Sequence, residues 1–114
     1  MKVKTSELTG ATLDWAVRYA LNGQKPLDYV EARDNYSACW NKAGPLIEWE
    51  IGNLWKHNKL DPNEPDVWTA AAYHKAPDGT MLYYEDGPTP LIAAMRCFVS
   101  SKLGDEVDVP EELT

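Results

Sequence analysis

The chain has 114 residues, enough for one compact domain with a real core and too few for two. A hydrophobic content of 44%, with five tryptophans and six tyrosines, excludes a disordered chain. The net charge of −7 leaves no basic face for phosphate binding by counterion release, which argues against direct nucleic-acid binding.

That charge is uneven. Residues 1–57 hold seven acids and seven bases, whereas 58–114 hold eleven acids against four bases. Five of those acids fall within 105–112, so the acidity concentrates in a C-terminal tail from about 105. The opening "MKVKTSELTG" lacks the apolar core of a secretory signal, and no run of 18 apolar residues exists. A cytoplasmic protein with no membrane span is expected. Cys39 and Cys97 stand far apart in no metal-like spacing and read as buried small side chains.

The first predicted element is a helix over about 10–22. Leu13, Ala16, Val17, Ala20 and Leu21 recur at the helical period, with Trp15 at the edge of that stripe. Thr9 is placed to cap its start, and Asn22-Gly23 supplies a left-handed stop. Asp14 and Arg18, four apart, read as an exposed pair. Residues 24–43 show no clean period, and Leu27 to Ala32 suits a strand or a helical turn equally.

"AGPLIEWEIGN" reads two ways. Pro45 at a first helical position and Gly52 as a stop suggest a short helix. Ile47, Trp49 and Ile51 alternating with Glu48 and Glu50 suggest a strand. The expectation is a helical turn running into a short strand near Leu54-Trp55. "KHNKLDPNEPD" is a loop. Val, Trp, Thr and Tyr then flank Pro77-Asp78-Gly79, which predicts an antiparallel hairpin, 67–74 with 80–85.

"GPTPLIAAMRCFVSSKLGDEVDVP" predicts the second main helix, 90–103. Thr89 is the cap, Pro90 the first helical residue, and Gly104 the stop. Leu91, Met95, Phe98 and Val99 make an apolar face, with Ile92, Ala94 and Leu103 at its margins. Ala93, Arg96 and Ser100 lie opposite, and Cys97 falls on the polar side of the boundary. Beyond Gly104 the acids should lead away from the negative helix end, with Val107 and Val109 packing as an edge. The expected architecture is α+β: one small domain, two main amphipathic helices packed on a small antiparallel sheet.

Candidate chemistry is sparse. No GxSxG, phosphate-loop, HExxH or CxxC pattern occurs. His57 and His74 have no third ligand at a helical or strand spacing, so no metal is expected. Glu48 and Glu50 read as a solvated face, and no cofactor is implied. Two sets of residues stand out. The free amides of a helix start favour an anion, which makes Thr89, Leu91, Ile92 and Ala93, with Arg96, a candidate anionic-ligand site. Five tryptophans exceed the needs of one core, so Trp40, Trp49, Trp55 and Trp68 are candidates for an interaction surface.

"MKVKTSELTGATLDWAV", "AGPLIE" and "GPTPLIAAMRCFVSSKLGDEVDVPEEL" together resemble the NinX-like family of small proteins from tailed bacteriophages and prophages. The likeness covers roughly 1–22 and 87–113. It implies an accessory phage gene product in the bacterial cytoplasm, and it brings no catalytic residue to any position here. Relatives look more charged where this chain has Glu48-Trp49-Glu50, so a role for Trp49 is particular to it. The expected function is non-catalytic: binding a host or phage protein, as in counter-defence. The alternative is a module that sequesters an anionic small molecule such as a nucleotide signal. A DNA mimic ranks below both, because the carboxylates bunch instead of spreading over a face. Self-association into a homo-oligomer is compatible with either reading.

Overall fold

The structure is a computed structural model that describes residues 1–26, 35–76 and 79–113, with the side chains of 74–76, 80 and 81 left aside. Its strands are β1 (Lys2–Lys4), β2 (Asn53–Lys56), β3 (Trp68–Ala76), β4 (Gly79–Gly87) and β5 (Glu106–Asp108). Its helices are α1 (Gly10–Asn22), α2 (Trp40–Glu50) and α3 (Pro90–Leu103). Short 3-10 turns occupy Thr5–Glu7 and Glu111–Leu113. The α+β expectation holds, as do both main helices.

β2, β3 and β4 form an antiparallel sheet in that order, and β1 pairs with β5 in a second, two-stranded sheet. The hairpin is longer than expected, running from Trp68↔Gly87 to Ala76↔Gly79. Its corner at Pro77 and Asp78 lies outside the described residues, as does the stretch from Leu27 to Ala32.

α3 is the centre of the molecule. It packs across one face of the three-stranded sheet, and α1 and α2 pack on its other sides. Its start follows the sequence reading: Thr89 Oγ1 accepts the Ile92 amide at 3.1 Å, and Pro90 stands at the first helical position. The expected polar face does not exist. Ala93, Arg96, Cys97 and Ser100 are all buried, along with Leu91, Ala94, Met95, Phe98 and Val99. A one-sided stripe is the pattern of a surface helix, whereas a helix covered on every side is buried all round.

α1 presents Leu13, Trp15, Ala16 and Val17 to this core. Its cap runs through Thr12, whose hydroxyl donates to the Thr9 carbonyl at 2.7 Å and accepts the Thr9 amide at 3.3 Å. Gly23 ends it at φ 69°, as expected. Asp14 corrects the exposed-pair reading: it is buried and accepts the Ser37 amide at 2.8 Å.

α2 is a full helix where only a turn was expected, and Pro45 lies at its sixth residue instead of its first. The amide that proline lacks would have donated to the Asn41 carbonyl, and both residues face solvent, where water replaces the bond. Gly44 has no Cβ to clash with the following ring, so it stays helical before a proline. Lys102 of α3 ties α2 down by pairing with Glu50 at 3.3 Å.

The acidic segment after Gly104 folds back instead of leading away. β5 runs against β1, with Lys2↔Asp108, Val3↔Val107 and Lys4↔Glu106 facing one another. Val107 and Val109 are buried in the core, and opposite charges meet across the ladder.

Candidate interaction surface

Strand register sorts the sheet's side chains onto two faces. Leu54, Trp68, Ala70, Ala72, Tyr83 and Glu85 share the face that α3 covers. Asn53, Trp55, Thr69, Ala71, Tyr73, Leu82, Tyr84 and Asp86 share the opposite face. That second face carries large exposed side chains: Tyr84 is 54% exposed, Tyr73 52%, Trp55 42% and Leu82 40%.

These side chains are ordered against one another. The Trp55 and Tyr84 rings meet edge to face, with centroids 6.4 Å apart and planes at 79°. Asn53 Nδ2 donates to the Tyr73 hydroxyl at 2.9 Å. Ala71, in the row between Asn53 and Tyr84, is buried on this face, over which no helix of the described residues lies. Taking about 200 Å² per large side chain, the exposed parts of the four come to roughly 400 Å². A patch of that size sits in the range where the largest patch on a monomer is often functional.

A polar chain borders the patch. Thr69 is buried, and its hydroxyl donates to Asp86 Oδ1 at 2.5 Å while lying 2.5 Å from His57 Nε2. The hydroxyl has one proton and gives it to Asp86, so His57 donates from Nε2. The His57 amide also donates to the Val67 carbonyl at 2.9 Å, which fastens the 57–67 loop to β3.

The four expected interface tryptophans do not converge. Trp55 belongs to the open face, and Trp68 is half-buried on the covered one. Trp40 and Trp49 lie on α2, both exposed, Trp49 at 83%. Tyr73, Leu82 and Tyr84 were missed, although "MLYYED" places bulky residues on both faces of a strand.

The helix start at 89–93 is built differently from an anion cradle. The Ile92 amide goes to the Thr89 hydroxyl and the Ala93 amide to the Thr89 carbonyl. Leu91 and Ala93 are buried and Ile92 half-buried. Arg96 turns inward: Nε donates to the Leu8 carbonyl and Nη1 to the Asp86 carbonyl, both at 2.8 Å. Its guanidinium holds elements together, with two of its five N–H donors given to backbone carbonyls.

Burial, reinforced by the Glu85 charge, pushes the Cys97 thiol up to about 12. Glu85 is itself held above the ordinary carboxylate range, chiefly by burial, with Arg96 opposing the shift. Asp66 is held below its usual value by a hydrogen bond from Lys59 and the charge of Lys56. No group of three His, Cys, Asp or Glu side chains suited to a metal ion occurs among the described residues, and the His74 side chain is not among them. No helix there is long and apolar enough to cross a membrane.

Compared with known proteins, the chain matches the family described as "Bacteriophage P22, NinX" over residues 4–102. No curated protein matches it.

Proposed function

The chain belongs to the NinX family of bacteriophage proteins, and from that premise we propose that it is a phage accessory protein acting by non-catalytic binding of a protein partner. The partner, host or phage, docks on the open face of the β2-β3-β4 sheet in the bacterial cytoplasm. Interference with a host defence protein is an action of this kind.

The observation that carries the reading is the exposed Trp55–Tyr84 edge-to-face pair on a sheet face that no element of the described chain covers. Aromatic side chains at the centre of a patch are the usual anchors of protein interfaces. The patch is about half of what one partner contributes to a standard interface, which suits an energetic centre surrounded by a polar rim.

The test is capture by tagged protein in phage-infected cells, comparing wild type with Trp55→Ala and Tyr84→Ala. Each variant should stay folded and melt within several degrees of wild type, because about half of each side chain is exposed. Each should reduce recovery of a specific partner severely, since anchor residues contribute about 2 kcal/mol or more. Unchanged recovery with both folded variants would sink the assignment.

A further inference from the structure

The open face ends at a concavity of about 610 Å³, between the 65–67 loop and the last residues of β4. Its charged groups come from three elements. Asp66, from the loop, is paired with Lys59 at 2.7 Å and Lys56 at 3.5 Å. Arg96, at the α3 side, acts on Glu85 first and on Asp86 second. The Asp86 carboxylate points to the open side of the concavity. Among the described residues no lysine, arginine or histidine nitrogen lies within ion-pairing distance of its carboxylate, and His57 reaches it only through Thr69.

Asp86 is therefore an exposed carboxylate with no cation of the described residues in contact with it, held in place by the Thr69 hydroxyl while the buried Arg96 guanidinium acts on it from behind. It shares a face with the Trp55 and Tyr84 rings, directly across Thr69 from Trp55 in the strand register. Aromatic faces beside a fixed carboxylate recognise a guanidinium. Its weakly hydrated plane stacks on the rings while its N–H fork meets the oxygens. The chain's net charge of −7 draws a basic partner and repels a second copy of itself.

We propose that the partner docks through a basic segment, seating an arginine side chain against Trp55 and Tyr84 with its guanidinium on Asp86. This rests on the reading that the open face binds protein, and it names the chemistry of what binds there.

The probes are three capped hexapeptides, Gly-Leu-Arg-Leu-Arg-Gly and its versions with Gln or Glu in place of Arg. Each is titrated into the full chain at low salt while amide and indole NMR signals are followed. The arginine peptide should shift the Trp55 indole and the backbone signals of Tyr84 and Asp86, and the glutamate peptide should not. Asp86→Asn keeps an oxygen for Thr69 and removes the charge, so it should weaken the arginine peptide roughly tenfold with little change in melting temperature. Added salt should weaken wild type and leave the variant little changed.

Equal binding of the arginine and glutamine peptides, or an Asp86→Asn effect within about twofold, would overturn the proposal. If Trp55→Ala still abolished partner capture in that case, the docking face would stand and only its charge preference would be wrong. Binding by none of the peptides, or self-association through this face on sedimentation, would also overturn it.

Discussion

Arg96 offers a sharp division between a ligand group and a structural one. Arg96→Met keeps much of the aliphatic bulk and removes the guanidinium. Two hydrogen bonds at 2.8 Å are lost, and the carbonyls of Leu8 and Asp86 lose a charged donor. Hydrogen bonds from a charged donor contribute about 1.5–3 kcal/mol each. Relief of the desolvation that the buried charge bears in the wild type, together with relaxation and water entry at the Asp86 end, reduces the loss. A net cost of about 3 kcal/mol follows, a large share of the 5–15 kcal/mol that holds a domain this size together. In urea, with a slope near 1.5 kcal/mol per molar, the midpoint should fall by about 2 M with the slope unchanged. Arg96→Lys retains one donor at best and should fall between. A drop under about 0.5 M would refute the reasoning. So would a wild-type protein stabilised by phosphate or nucleotide when the variant is not, because that result would return Arg96 to the anion site expected from sequence.

Three further outcomes follow from the same packing. Gly87→Ala should lower the melting temperature by several degrees, since its Cβ would lie 2.6 Å from the Ala93 nitrogen and 3.0 Å from Ile92 Cγ2, and α3 must move to admit it. An unchanged melt would mean that the helix yields more easily than its all-round burial implies. Glu85→Gln tests the burial of a carboxyl held above its ordinary value. That shift favours the neutral form in the fold, so stability is full below the unfolded value and lost as pH rises through the folded one. The variant should therefore melt higher than wild type at pH 7 and converge with it near about pH 4; the reverse order would contradict the placement. Thiol labelling at about pH 8 should modify half-buried Cys39 well before Cys97, whose thiol stays protonated there. Comparable rates would show that the 97 site opens.

α1 and α3 were legible because periodicity, a cap and a glycine stop agreed at each. α2 was not, because Gly44-Pro45 is start-of-helix chemistry. Only the solvent exposure of Asn41 and Pro45, which the chain alone does not reveal, lets the pair sit mid-helix. The environment of α3 was misread for a related reason. Arg96, Cys97 and Ser100 look like a wet face until their partners are known: the Leu8 and Asp86 carbonyls for Arg96, and the Tyr83 carbonyl, 3.4 Å from the Cys97 sulfur. Such satisfaction comes from residues ten to ninety positions away, beyond the reach of a local pattern. The open face was half legible. Trp55 was singled out, but its neighbours depend on pairing register, and register alone assigns Tyr84 to Trp55's side and Tyr83 to the helix's.

The β1–β5 ladder bears on how the molecule is made. Lys4 faces Glu106, and the Thr5 amide reaches the Asp105 carbonyl at 2.7 Å. β1 therefore leaves the ribosome about a hundred residues ahead of its partner, a wait of roughly 5–20 s at ordinary elongation rates. α1 and the hairpin can form in that interval, but the strand that closes the core beside them cannot. Completion of the fold therefore waits for β5, and a nascent chain halted before Glu106 would hold β1 unpaired.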